Sequence, residues 1–141
     1  MSLLLLPSAH LQWQNTLVNT AKRLVSEGHN EVAVVTAIMA CETAAERAFA
    51  YWFQKRGISE LEKVTTDLFP SYSFSNERIL KYYIAISGDK IHEATFWPQY
   101  KVSAKLRGDL VHRGLRATKV QADDAVAASA AFTAHLVQAT K

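Results

Sequence analysis

The sequence has 141 residues, with 16 Lys and Arg against 13 Asp and Glu, for a formal net charge of +3. That length suits one domain spanning 1–141, and 49% apolar with 21% charged residues is the balance of a globular chain. Intrinsic disorder, a collagen-like repeat and a coiled-coil rod are excluded.

Cys41 is the only cysteine, which rules out an intramolecular disulfide framework and a Cys-based zinc site. A lone Cys in an apolar stretch reads as a small buried hydrophobe. The run Leu3–Leu6 before Pro7 lacks the basic start and the about 7–15 apolar residues of a secretory segment. No stretch approaches the roughly 18 apolar residues of a membrane span. The expectation is a cytoplasmic protein without membrane association, with Leu3–Leu6 packed on the core or on a neighbouring subunit.

The pattern is helical throughout. Gly and Pro are scarce, with 5 and 3 copies against 21 Ala, and Ala is the best helix former. Ser8 is placed to cap a first helix over about residues 9–27, with Leu11, Leu17, Val18, Ala21, Leu24 and Val25 on one stripe and Gly28 as its stop. Asn30 is the expected cap of a second helix running to about Arg56, with Gly57 beyond it. Its inner row, Val35, Ile38, Glu42, Ala45, Phe49 and Trp52, alternates three- and four-residue steps. Cys41, Met39, Phe49, Trp52 and Phe53 are read as core.

Ser59 and Glu62 have the spacing of a capping box for a short helix ending near Leu68. Phe69-Pro70 ends it, and Ser71 to Ser75 forms a polar-aromatic loop. Ser75 or Asn76 caps a helix over about 77–87, closed by Gly88. Asp89 to Trp97 is either a helical turn or an ordered loop. Pro98 suits the first turn of a helix to about Arg113, with Val102, Leu106 and Leu110 inward and Gly114 as its stop. Asp123 and Asp124 suit the first turn of a last helix, whose stripe is Ala125, Ser129, Phe132 and Leu136. The pattern predicts an all-α, up-and-down bundle of four to six helices.

None of the five histidines, His10, His29, His92, His112 and His135, pairs with another four residues away, so no zinc-binding helix is indicated. No Gly-rich phosphate loop occurs, so neither metal nor cofactor is expected. His10 and His135 are expected on solvated helix flanks. His92, beside Glu93, is more simply a loop residue than part of a site.

Charge is more informative. Lys101, Lys105, Arg107, Arg113, Arg116 and Lys119 face only Asp109 within their own stretch. A polyanion-binding surface and a solvated basic helix face fit this equally well.

Within it lies Arg107-Gly-Asp-Leu-Val-His112-Arg-Gly, an R-x₄-H pattern near a helix end. The Leu-Val-His-Arg-Gly ending, the basic connector and the final Ala-rich helix resemble the C-terminal half of HEPN domains. The acidic positions Glu42 and Glu46 on a long second helix extend the resemblance. It covers most of the chain in helix order, and residues 102–136 in motif. HEPN domains are small helical bundles, many of them metal-independent endoribonucleases. The family often has a polar residue, typically Asn, directly after the Arg, whereas this chain has Gly108, with Asp109 next.

The resemblance implies RNA cleavage of the toxin or phage-defence type, giving a 2′,3′-cyclic phosphate and a 5′-OH. His112 would be the acid/base, since imidazole titrates near about 6.5. Arg107 would stabilise phosphoryl charge through its planar fork, and Asp109, three residues before His112, would orient the imidazole. Lys101, Lys105, Arg113, Arg116 and Lys119 would contact RNA. Five residues turn a helix by about 140°, so Arg107 and His112 either meet across a broad groove or serve a cleft between two copies, as family members commonly arrange it. Expected partners are RNA, a second copy and an antitoxin protein. The alternative is a non-catalytic HEPN-like module binding RNA, a nucleotide or a protein.

Glu42 has two readings. Either it pairs across the bundle with Arg107 or His112, or it escapes to solvent at the stripe edge near Glu46. The aromatic segment from Tyr72 to Tyr83 offers rings that could stack bases, though core packing is the expectation for Tyr83.

Overall fold

The computed structural model describes the backbone of residues 7–141 and the side chains from Trp13 onward. The expected Leu3–Leu6 arm and the side chains of Ser8, His10 and Leu11 lie outside these limits. The described residues form six α-helices and one 3₁₀ turn: α1 (Pro7–Ser26), α2 (Asn30–Lys55), α3 (Leu61–Leu68), α4 (Glu77–Ser87), the turn Ile91–Glu93, α5 (Trp97–Arg113) and α6 (Lys119–Ala139). The fold is all-α, and no helix of the described residues is long and apolar enough to cross a membrane.

The core is built on α2 and α6. Asn30 Nδ2 donates to the Ala117 carbonyl, Ser129 Oγ to that of Ala37, and Arg47 Nη1 to Thr140 Oγ1. Residue numbers rise together across the three contacts, so α2 and α6 run parallel. Their facing rows are small: Ala33, Ala37, Ala40 and Ala44 against Ala122, Ala125 and Ser129, all buried. Side chains of this size let two backbones approach closely, and the Ser129 hydroxyl is satisfied by the 2.7 Å bond to α2.

The other two long helices run the opposite way. On α1, Ala21 and Val25 pack beside Ala33 and Val34, and Leu17 and Val18 beside Ala40. On α5, Tyr100 stacks on Phe132 at 4.6 Å while Leu106 and Leu110 adjoin the Ala122 and Ala125 region. Thus α1, α2, α5 and α6 form an up-down-up-down bundle, with α3 and α4 as an excursion over the C-terminal half of α2. That excursion closes on Phe49, whose ring lies 5.5–6.0 Å from those of Phe53, Phe69, Tyr72, Phe74, Tyr82 and Tyr83. Within the aromatic segment, Tyr83 is fully buried, as core packing requires, and so is Phe74, whereas Tyr82 stays 37% exposed.

Several local expectations are corrected. Ser8 lies inside α1, which already includes Pro7. Asn30 is the first residue of α2 and reaches the Ala117 carbonyl, just before α6, instead of capping. The Ser59–Glu62 box does not form: α3 starts at Leu61 behind Glu60, which has helical backbone angles and no capping bond. α6 starts earlier than Asp123 implied, because Thr118 and Gln121 make a reciprocal capping box. Val102 and Met39 are exposed rather than core, at 61% and 40%. Asn76 does cap α4, accepting from the amides of Arg78 and Ile79. Gly88 and Gly114 close α4 and α5 at φ 74° and 64°, a left-handed geometry suited to Gly.

Candidate functional site

Helix α5 carries the motif. Its buried residues Trp97, Tyr100 and Ser103 set the face turned to the bundle, and Arg107, one turn beyond Ser103, continues it. This register aims Arg107 at α2, where its Nη1 lies 3.3 Å from Glu42 Oε1. Of the two readings of Glu42, the cross-bundle pair is the one that forms. Glu42 Oε1 and Arg107 Nε are both shielded from solvent without an aligned hydrogen bond, so the contact is an ion pair and no more. Burial pushes the Glu42 carboxyl above the usual glutamate range, and Arg107 opposes this only in part.

His112 faces elsewhere. It is exposed at the end of α5, with no hydrogen bond or ion pair to any described residue. Asp109 does not orient it, because its carboxylate is taken by Lys105 at 3.0 Å and Arg113 at 3.8 Å. Arg107 is turned to α2 and His112 stays exposed, so no hydrogen bond or ion pair among the described residues links the two within one chain. Gly108 lies between them on open helix surface, where an added Cβ would meet nothing within 4 Å. Glu46 is exposed and makes no ion pair among the described residues.

The basic stretch is less free than its sequence suggests. Besides the Asp109 contacts, Arg116 Nε lies 3.0 Å from Glu31, and Lys119 Nζ 2.7 Å from Asp123. Only Lys101, of the six cations, has no acidic partner among the described residues. Most of these pairs are solvent-exposed and hence weak, so a phosphate could displace them.

Two acids of α2 hold the motif region. Glu31 and Glu42 are eleven residues apart, about three turns, on one stripe of α2. They grip Arg116 and Arg107 across α5. Beside this seam both helices expose apolar side chains: Val32 and Met39 on α2, Val111 on α5 and Leu115 just after it, 40–57% exposed.

One polar cluster escaped the sequence reading. His135, expected on a solvated flank, is half-buried with Nε2 2.8 Å from Asp89 Oδ1, and the Tyr83 hydroxyl donates to Asp89 Oδ2 at 2.7 Å. A Gly-Asp step after a helix was its only local signal. The described residues contain no cluster of three His, Cys, Asp or Glu able to hold a metal ion. No protein-family model, curated protein or solved structure matches the chain.

Proposed function

We propose that this chain is a HEPN-like, metal-independent endoribonuclease of the toxin or phage-defence type, acting as a cytoplasmic homodimer. What carries the reading is Arg107, anchored by Glu42 at 3.3 Å on the rim of an apolar α2–α5 face exposed among the described residues, with the imidazole of His112 exposed at the end of the same helix. A two-fold contact through Val32, Met39, Val111 and Leu115 buries that face and brings two sets of motif residues to one cleft. One His112 takes the proton of an RNA 2′-hydroxyl, whose oxygen attacks phosphorus. Arg107 stabilises the added negative charge, and a second His112 protonates the departing 5′ oxygen. The products are a 2′,3′-cyclic phosphate and a 5′-OH end. An antitoxin protein fits the same scheme as a partner covering the cleft.

A non-catalytic module that binds RNA, a nucleotide or a protein is the second reading, favoured by Gly108 and by Asp109 being spent on Lys105 and Arg113. The two separate on one preparation. Total RNA is incubated with the protein in EDTA, and light scattering gives the mass. The nuclease reading expects cleavage by a dimer, lowered roughly 10²–10⁴-fold in His112→Ala with unchanged melting. Met39→Asp should give a folded, inactive monomer. RNA retention without cleavage, falling steeply with salt, selects the second reading. Equal cleavage by His112→Ala and wild type refutes the first.

A further inference from the structure

Of the five glycines, Gly108 alone has no conformational reason to be one. The other four sit at φ 64–84°, where a side chain would be strained. Gly108 lies inside α5, and a Cβ added there would meet nothing within 4 Å. Alanine would fit and would strengthen the helix, because glycine is a poor helix former. No turn and no packed neighbour among the described residues accounts for the missing side chain. The use that remains for such a glycine is to let something from outside the chain come close to the helix backbone.

The same side of α5 indicates what approaches. At 3.6 residues per turn, Lys101, Lys105, Gly108 and His112 fall within about 60° of arc, on one stripe about 17 Å long. Lys101, Lys105 and His112 are exposed. At the Lys101 end lies a recess of about 430 Å³, lined by Ser75, Lys101, Val102, Ala104 and Lys105, the size of a small-ligand site. Asp109 borders the stripe and holds Lys105 at 3.0 Å, but the lysine side chain is 76% exposed in that pair, so a phosphate can compete for it.

We propose that the phosphodiester backbone of a single RNA strand follows this stripe. Lys101 and Lys105 hold one phosphate at the recess, and the strand crosses α5 at Gly108, where no side chain stands in its way, to reach His112. This rests on the RNA reading that the nuclease and its non-catalytic alternative share. In the nuclease, the track fixes where the strand is cut, because the linkage presented to His112 lies at a set distance from the phosphate on Lys101 and Lys105. The stripe is one helix face wide, with Asp109 along one edge and Ala104 and Val111 along the other, so it suits one strand rather than a duplex. A second copy of the chain is a poorer match, since the exposed side chains beside Gly108 are two lysines and a histidine, and a two-fold contact would set like charges against each other.

The test is binding of a 2′-O-methyl oligouridylate of about ten nucleotides, read by fluorescence anisotropy. The methyl groups block the attacking hydroxyls, so binding is measured apart from cleavage. Gly108→Ala should raise the melting temperature by about 2–4 °C. Gly108→Leu should keep the wild-type mass and melt no lower than wild type, yet bind the strand about tenfold more weakly. Lys101→Ala should lower the slope of log affinity against log salt by about 0.7. Equal binding by Gly108→Leu and wild type overturns the track, whether or not unmodified RNA is cleaved. Failure of the wild type to bind the strand overturns it too. A Gly108→Leu variant that loses dimer mass but still binds the strand overturns it in favour of a second copy of the chain at Gly108. Binding that Gly108→Leu loses, in a protein whose wild type cleaves no unmodified RNA, supports the track and refutes only the nuclease reading.

Discussion

Arg107 Nη1 lies 3.3 Å from Glu42 Oε1, yet the Glu42 carboxyl is held above its usual pKa because burial outweighs the cation beside it. The motif arginine is thus fixed by an acid that is itself only partly compensated.

A raised carboxyl pKa means the native state binds more protons than the unfolded chain between the ordinary glutamate value and the raised one. Stability therefore falls as pH rises through that window. Glu42→Gln should abolish this slope, so melting curves of wild type and variant diverge as pH climbs above the ordinary glutamate range. Parallel curves would refute the assignment. Arg107→Met should cost about 1–2 kcal/mol at neutral pH, less than for a fully buried pair, since both side chains keep some solvent contact.

Ser129 joins the central helices through its 2.7 Å bond to the Ala37 carbonyl. Ser129→Ala keeps the close approach and loses one buried hydrogen bond, about 1 kcal/mol by urea unfolding. Ser129→Leu must push α6 away from α2, and should cost about 3 kcal/mol or prevent folding. Equal effects would mean that helix separation is not set at this residue.

Cys41 is fully buried, and burial pushes its thiol up to about 12. Thiolate is scarce at neutral pH and shielded from reagents. A thiol-specific disulfide reagent should leave the native protein unlabelled and modify one thiol per chain in urea. Rapid labelling of the native state would show that the α2–α6 seam opens readily.

Asp89 bonds both Tyr83 and His135, tying the loop after α4 to α6. Tyr83→Phe should cost about 1 kcal/mol, whereas Asp89→Ala strands a buried phenol and should cost about 2–3 kcal/mol. Amide exchange across residues 88–96 should accelerate in Asp89→Ala and not in an exposed control such as Glu93→Ala. A Tyr83→Phe variant as unstable as Asp89→Ala would place the linkage elsewhere.

The sequence made the helices legible where a local rule decided them. Gly88 and Gly114 stop α4 and α5, Asn76 caps α4, and the Ala125–Leu136 stripe faces inward as its spacing implies. Glu42 was legible too, because an acid on an apolar row demands a partner. Features that failed depend on residues distant in the chain. The basic run looked unopposed because Glu31 and Glu42 sit on another helix. Asp89, not His135 itself, decides whether that histidine is solvated. Met39 and Val102 match the helical period yet stand exposed, where no other helix among the described residues covers them. At α3 and α6, competing caps lie within a few residues of one another, and side-chain geometry selects between them.

The parallel pairing of α2 and α6 also orders events during protein synthesis. The α1–α2 hairpin joins neighbours in the chain and can form as soon as both helices are made. That hairpin covers part of the alanine row of α2, with Ala21 near Ala33 and Leu17 and Val18 near Ala40, but the side that meets α6 is covered only when residues 119–139 exist, after α3, α4 and α5. At translation rates of about 5–20 residues per second, that interval lasts several seconds. Throughout it the nascent chain leaves that side of α2 without its partner, a strip of small apolar side chains of the kind that chaperones hold. Codon-level pausing between α2 and α6 would lengthen this exposure, whereas pausing after residue 139 would not.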